Sequence, residues 1–150
     1  YNALVEFLKS DNSGFAVDLD KAFLISDRDT QNFKTTQYEE ILKKCENQGF
    51  VWIVSNPSFQ LWLLLHFTDD IESLDLANIK SCKKQILKIE TQIRALSGNG
   101  YTHGNLKQSM FRPLIERAIK NSEKYCLSVN DLKENIGTNF SVLVKYISCI

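Results

Sequence analysis

Apolar residues along the chain form two strand-length runs and several segments with helical spacing. Residues 22–26 (AFLIS) and 50–54 (FVWIV) are short, continuous apolar runs, a pattern typical of buried parallel strands. Between them, apolar side chains at positions 38, 41, 42 and 45 have the spacing of an amphipathic helix. Strand, helix and strand over about thirty residues match the size of a βαβ unit. This half of the chain is therefore predicted to be α/β, with a small parallel sheet flanked by helices.

Capping residues predict where two helices begin and end. Thr36 and Glu39 have the spacing of a capping box, and Gly49 suits the end of that helix. Asn56 is predicted to cap the next helix, with Pro57 at its first position. That helix, over residues 59–67, is apolar on most sides and should be buried.

The second half of the chain is predicted to be helical. Apolar residues recur in a 3-4-3-4-3 pattern from position 79 to 96, which predicts one long helix with a narrow apolar face. Residues 105–126 also fit helical spacing, with Pro113 marking a start or a kink. Residues 139–150 fit both helical spacing and strand-like alternation, and of the two we predict a helix. We therefore divide the chain into an α/β core at residues 1–70 and a helical extension at 71–150 that packs on it.

Composition excludes several classes of protein. Of 150 residues 43% are hydrophobic, which is enough for a core, and no apolar run is long enough to predict a membrane span. The four cysteines are far apart, which argues against a zinc site and favours reduced thiols in the cytoplasm. The sequence also lacks a nucleophile-elbow serine motif and a phosphate-binding P-loop. The D-x-D-x-[TV] motif of haloacid-dehalogenase-type phosphatases is incomplete, because Gln31 occupies its last position.

Charge is distributed unevenly although the total is zero. Residues 1–70 carry six basic and eleven acidic side chains, and residues 71–150 carry twelve basic and seven acidic ones. The basic half predicts an anionic partner such as nucleic acid, with Lys83 and Lys84 as candidate phosphate contacts. The alternative is that these lysines only keep helical surfaces soluble.

The first candidate site is the sequence Asp27-Arg28-Asp29, which directly follows a predicted strand. Ligands bind at the carboxyl ends of parallel strands, and Mg²⁺ or Mn²⁺ favours a few carboxylates together with water and phosphate oxygens. Asp27 and Asp29 are thus candidate metal ligands and catalytic residues, and Arg28 is a candidate phosphate contact. The alternative is a solvated turn, because Asp is common where strands end.

Further candidates follow the second strand and the long helix. Ser55 and Asn56 should lie at the same sheet edge as the Asp pair, where a helix N-terminus can bind phosphate. Ordinary capping by Asn56 is the alternative. His103 lies in a predicted loop and is a candidate substrate contact, whereas His66 is expected to be a packed histidine.

Two segments resemble the RloB-like family, which includes abortive-infection proteins of the AbiLii type. They are Ser26-Asp27-Arg28-Asp29 and the string S-N-P-S-F-Q-L-W-L-L-L-H-F over residues 55–67; residues 118–120 and 138–144 are similar to weaker family blocks. The resemblance implies a phage-defence protein, often encoded beside an ATPase partner. It also implies a Toprim-related sheet with Mg²⁺-dependent phosphodiester chemistry at Asp27 and Asp29.

The sequence departs from the family pattern at two points. The family string usually has a glutamate where this chain has Gln60, and the glutamate-bearing block expected on an earlier strand is absent, so we expect it upstream of Tyr1. Fewer carboxylates imply weaker metal binding. Two hypotheses follow. The chain is either a Mg²⁺-dependent nuclease or a non-catalytic defence subunit that binds nucleic acid or an ATPase partner.

Overall fold

Three strands form one mixed sheet in the order β1-β2-β3. β1 (Phe23–Asp27) runs parallel to the central strand β2 (Val51–Asn56), and Asp27 lies opposite Ser55. β3 (Gly137–Thr138) pairs antiparallel with the other edge of β2. The predicted parallel pair is confirmed, but the sheet as a whole is mixed. The computed structural model describes residues 2–10, 13–16 and 19–148.

Helices surround this sheet and make up about half of the chain. Three short 3₁₀ turns, at 72–74, 76–78 and 112–114, interrupt the connections among the described residues. The α-helices of the described ranges are α1 (Asn2–Lys9), α2 (Thr35–Gln48), α3 (Gln60–Leu65), α4 (Cys82–Leu96), α5 (Gln108–Phe111), α6 (Ile115–Ser122), α7 (Val129–Leu132) and α8 (Phe140–Ser148).

α2 crosses from β1 to β2, as the βαβ pattern predicts. Its capping differs from the prediction, because the N-cap is Lys34, whose backbone N–H donates to the Gln37 side chain at 2.9 Å. The predicted capping box of Thr36 and Glu39 is therefore wrong by two residues. Gly49 does end the helix, with φ 68° in the left-handed region that glycine tolerates best.

α3 and α4 both begin later than the sequence indicates. α3 begins at Gln60 with Phe59 rather than Asn56 at its N-cap, so the predicted capping by Asn56 is wrong. α4 begins at Cys82 because the Ser81 hydroxyl accepts a hydrogen bond from the Lys84 backbone N–H at 3.4 Å. Serine at the N-cap satisfies one of the free donors of the first turn. Residue 79 therefore lies before the helix rather than in it.

Two clusters of buried apolar side chains form the core. One surrounds α3, whose residues 61–65 are all buried against α4 and α6. The other lies between α2, the sheet and α7, and includes Tyr38, Trp52 and Leu132. The helices of residues 71–150 thus bury α3 from the first half of the chain, and β3 adds a strand to its sheet.

The remaining helical predictions are confirmed with adjustments. Residues 105–126 form two helices, α5 and α6, separated by the 3₁₀ turn that contains Pro113. α8 covers most of the last predicted helix, and residues 149 and 150 lie outside the described residues.

Candidate functional site

Asp27 and Asp29 lie on one side of the sheet and Arg28 lies on the other, because side chains alternate in direction along the end of β1 and the residues that follow it. Asp27 faces the start of α3, where its Oδ1 accepts a hydrogen bond from the Phe59 N–H at 2.7 Å, and Asp29 faces the start of α4, where it accepts a hydrogen bond from Cys82. Arg28 lies between them in sequence and points to the opposite side, toward α2. Side chains two residues apart in an extended segment share a face. The two carboxylates are thus close enough to interact electrostatically, and their convergence on one cation stays a prediction.

The Asp27 carboxyl group still reaches solvent but is held close to protein atoms. Desolvation raises the pKa of Asp27 above its usual value, the hydrogen bond from Phe59 opposes this, and the negative charge of Asp29 raises it further. The two carboxylates therefore repel each other. A bound cation would relieve that repulsion.

The Asp29 carboxylate is fixed by a turn. Its Oδ1 accepts from the Gln31 and Asn32 backbone N–H groups at 3.0 and 3.4 Å, and its Oδ2 accepts from the Asn32 side-chain amide at 2.6 Å. Desolvation raises the pKa of Asp29, but these hydrogen bonds and one from Cys82 outweigh it and leave the pKa below its usual value. Asp29 is thus a preorganised carboxylate.

Cys82 brings the start of α4 to the carboxylate pair. Burial raises the pKa of its thiol, and the charges of Asp29 and Asp27 raise it further. The thiol is 3% exposed, so it is a neutral donor to Asp29 rather than a reactive nucleophile. From the sequence, Cys82 is predicted only to be a reduced thiol, because its proximity to Asp29 depends on how α4 packs.

Lys83 and Lys84 follow Cys82 in the first turn of α4, and both are exposed. The structure brings Cys82, the residue before these lysines, to the carboxylate pair. Phosphate binding by Lys83 and Lys84 stays a prediction.

The donor chemistry of the pair fits a hard divalent cation. Two carboxylates on one side of a strand end suit Mg²⁺ or Mn²⁺, which take few protein ligands and complete their coordination with water and phosphate oxygens. Within the described ranges, no group of three or more His, Cys, Asp or Glu side chains is arranged to hold a metal ion. Any cation bound here thus depends on Asp27 and Asp29.

Arg28 is placed in the interior, not at the site. It is 2% exposed, its Nε donates to the Lys133 carbonyl at 3.0 Å, and its other nitrogens donate to the Phe33 carbonyl and the Thr35 hydroxyl. Its guanidinium also lies over the Tyr38 ring, 5.1 Å from the centroid. These contacts join β1 to α2 and to the end of α7, which is a packing role rather than the predicted contact with substrate phosphate.

Ser55 and Asn56 are also engaged by neighbouring elements. The Ser55 and Thr138 hydroxyls lie 2.7 Å apart, and the Asn56 amide donates to the Leu132 carbonyl at 3.0 Å. Asn56 nevertheless lines a polar cavity of about 290 Å³, together with Thr30, Lys80, Gln85, Ala77, Glu134, Asn135 and Ile136. Phosphate binding at Asn56 therefore stays a prediction, with this cavity as its place.

His103 lies in the loop after α4 and contacts a residue that sequence analysis missed. Its Nδ1 is 2.5 Å from a carboxylate oxygen of Glu90 and 3.3 Å from the Gln60 amide nitrogen. Glu90 is buried on the apolar face of α4. An acidic residue in phase with that face was the signal that could have identified it. His66, in contrast, is packed between Trp62 and Phe111, as expected.

The model of the RloB-like protein family matches residues 2–147. The chain belongs to the RloB-like family. No curated protein and no solved structure matches this RloB-like chain. Across the part of the chain that the structure describes, no helix combines the length and apolar character needed to cross a membrane.

Proposed function

We propose that this RloB-like chain is a phage-defence protein with a Toprim-type nuclease site at Asp27 and Asp29. The observation that carries the proposal is the carboxylate pair at the end of β1, which is contacted by Cys82, the first residue of α4. The exposed Lys83 and Lys84 follow in the same helical turn. Carboxylate oxygens suit a divalent cation, and lysine side chains suit the phosphates of a nucleic acid. Family membership supports the defence role.

The protein residues have separate tasks in the proposed reaction. A divalent cation held by Asp27 and Asp29 would supply Lewis-acid polarisation of a phosphoryl oxygen. Lys83 and Lys84 would neutralise backbone phosphates on either side of the cleaved bond. The turn over residues 29–32 keeps one carboxylate in place before substrate arrives. A cytoplasmic location belongs to the proposal and agrees with the free thiols of Cys45, Cys82 and Cys126.

The proposal is tested by nicking of supercoiled DNA and cleavage of RNA with Mg²⁺ or Mn²⁺. We expect Asp27→Ala and Asp29→Ala each to lower the rate by about 10² or more, because each removes a metal ligand. Glu46→Ala is the matched control, since it removes an exposed carboxylate on α2 at the other side of the sheet. Cleavage that survives both aspartate substitutions contradicts the metal site.

A non-catalytic binding subunit is the second candidate. Two observations favour it, namely Gln60 in place of the family glutamate and the absence of a third metal-ligating side chain among the described residues. In that case the chain would bind nucleic acid or an ATPase partner through its basic half, residues 71–150. Nucleic-acid binding that is unchanged by Asp27→Ala, in a protein that cleaves nothing, would establish this alternative.

A further inference from the structure

The pair formed by Glu90 and His103 has the geometry of an oriented acid–base group. Glu90 has a side chain only 9% exposed, whereas that of His103 is 68% exposed. The carboxylate of Glu90 is held from two other directions, by Tyr101 Oη and by Arg94 Nη2, each at 3.4 Å. The acid is therefore fixed in the protein, and the imidazole that it contacts faces solvent.

The contact determines which nitrogen of His103 carries a proton. An ionised carboxylate only accepts hydrogen bonds, and its oxygen at 2.5 Å is closer to Nδ1 than the Gln60 amide nitrogen at 3.3 Å, so the geometry favours Nδ1 as the donor to Glu90. The second ring nitrogen, Nε2, is then the one left for a ligand or substrate. A histidine whose tautomer is set by a buried carboxylate is the arrangement that enzymes use to move protons.

The pair is connected to the carboxylate site through consecutive residues. Asp27 accepts a hydrogen bond from the backbone of Phe59, and His103 contacts the side chain of the next residue, Gln60. The start of α3 thus touches both groups. Glu90 of α4 contacts the imidazole directly, and Arg94 of α4 and Tyr101 of the loop contact the Glu90 carboxylate.

We propose that His103 is the proton donor to the leaving oxygen in phosphodiester cleavage, and that Glu90 is its positioning residue. The inference rests on the proposed nuclease function. In the reaction an O–P bond forms from water and the P–O bond to the leaving sugar oxygen breaks with its electron pair. That oxygen takes the proton from Nε2 of the His103 imidazolium. The attacking water releases its proton to solvent, from which the imidazole is reprotonated.

Leaving-group substitution tests the proton donor directly. A bridging phosphorothiolate substrate has a sulfur leaving group that needs no protonation, whereas the ordinary phosphodiester does. We expect His103→Ala to slow cleavage of the ordinary substrate by about 10² or more, the usual contribution of general acid catalysis. On the sulfur substrate the cleavage rate of His103→Ala should be within about fivefold of the wild-type rate, because a sulfur leaving group needs no proton from a general acid. Thr102→Ala, an exposed neighbour, is the control.

The role of Glu90 is tested by Glu90→Gln in the same two assays and by ¹⁵N NMR of the imidazole. We expect the neutral imidazole of the wild type to carry its proton on Nδ1, and the Glu90→Gln variant to lose that preference. This variant should cleave the ordinary substrate more slowly than the wild type, with a smaller loss of rate than His103→Ala, and should cleave the sulfur substrate at the wild-type rate. Equal losses on both substrates, or a proton on Nε2 in the wild type, would overturn the inference while leaving nuclease activity intact. A wild-type protein that cleaves neither substrate would overturn the proposed function and this inference with it.

Discussion

Asp27 is a residue at which the proposed function and folding stability conflict. Its raised pKa means that the folded protein binds a proton at Asp27 more readily than the unfolded chain does. The stability contributed by this group is therefore greatest in acid solution and decreases as pH rises through the raised pKa. At neutral pH the charged carboxylate is retained at a small cost to the fold.

We therefore expect Asp27→Asn to be slightly more stable than the wild type at neutral pH. The gain should be less than about 1 kcal/mol, because the carboxyl group is partly in water and its charge is screened. The gain should vanish below pH 3.8, the usual pKa of Asp, because Asp27 is then protonated in both the folded and the unfolded protein. Urea denaturation across this pH range measures the effect, and a neutral-pH loss of stability would contradict it. Mn²⁺ should stabilise the wild type but not the variant.

Arg28 shows how a residue suited to phosphate binding can serve packing instead. Its guanidinium donates in three directions to buried partners, which the single ammonium of lysine cannot do from the same position. We expect Arg28→Lys to lower the free energy of unfolding by about 2–4 kcal/mol, since buried carbonyl groups lose their donors. Lys43→Arg, the reverse exchange at an exposed position, should change it little.

Denaturation by urea distinguishes the packing role of Arg28 from a phosphate contact. If Arg28→Lys unfolds at the wild-type urea concentration but binds nucleic acid more weakly, Arg28 contacts substrate after all. If Arg28→Lys lowers the free energy of unfolding and leaves the salt dependence of nucleic-acid binding unchanged, the packing role is supported.

At the scale of elements, one side chain extends the sheet beyond its third strand. The Asn139 side chain accepts from the Val54 N–H at 2.7 Å and donates to the Trp52 carbonyl at 2.9 Å. It thereby pairs with β2 as a strand backbone would. Because β2 is central and buried, its polar groups have no access to water as a substitute partner.

We expect Asn139→Ala to lower the free energy of unfolding by about 2–4 kcal/mol, because a buried donor and a buried acceptor lose their partners together. Asn130→Ala is the control, and because this side chain is exposed, the substitution should lower the free energy of unfolding by less than about 0.5 kcal/mol. Thermal or urea unfolding measures both. Equal effects would mean that the amide pairing is not what stabilises this edge of the sheet.

The elements that sequence analysis identified are those with strong local signals. Two apolar runs and one amphipathic repeat were enough for β1, α2 and β2. β3 has no such signal, since it is two residues long and exists because Gly137 packs closely against the segment after α6. A Cβ at that position would lie 2.6 Å from the Tyr125 carbonyl oxygen. Such a strand depends on tertiary contact and cannot be found from periodicity.

For the whole molecule, the positional split of charge predicts how nucleic acid should bind. Affinity should fall with rising salt, with a slope of about 0.9 for each phosphate neutralised. We expect the double substitution of Lys83 and Lys84 by Gln to reduce that slope by up to about 2. Lys43→Gln, in the acidic half and on α2, should leave it unchanged. Fluorescence anisotropy at several salt concentrations measures the slope. A wild-type slope near zero would contradict phosphate binding by the basic half of the chain.

The candidate site was predictable only where its residues are close in sequence. Asp27 and Asp29 follow from strand alternation, and Lys83 and Lys84 from the basic face of a helix. Glu90 and Cys82 come to the site through the packing of α4 on α3, which depends on side chains from both halves of the chain. For the same reason, the sequence did not indicate that Arg28 would turn inward.

The separation of Arg28 from its two neighbours has a consequence for how this site can evolve. Inserting or deleting one residue between positions 26 and 29 would exchange the faces of the strand end. A carboxylate would then enter the pocket built for the guanidinium, and the guanidinium would enter solvent. Variants with altered Asp spacing would thus be lost through misfolding before their chemistry was selected. The two-residue spacing is thus tied to the sheet, and substitutions in the elements that approach the site from elsewhere can alter the activity without disturbing that strand end.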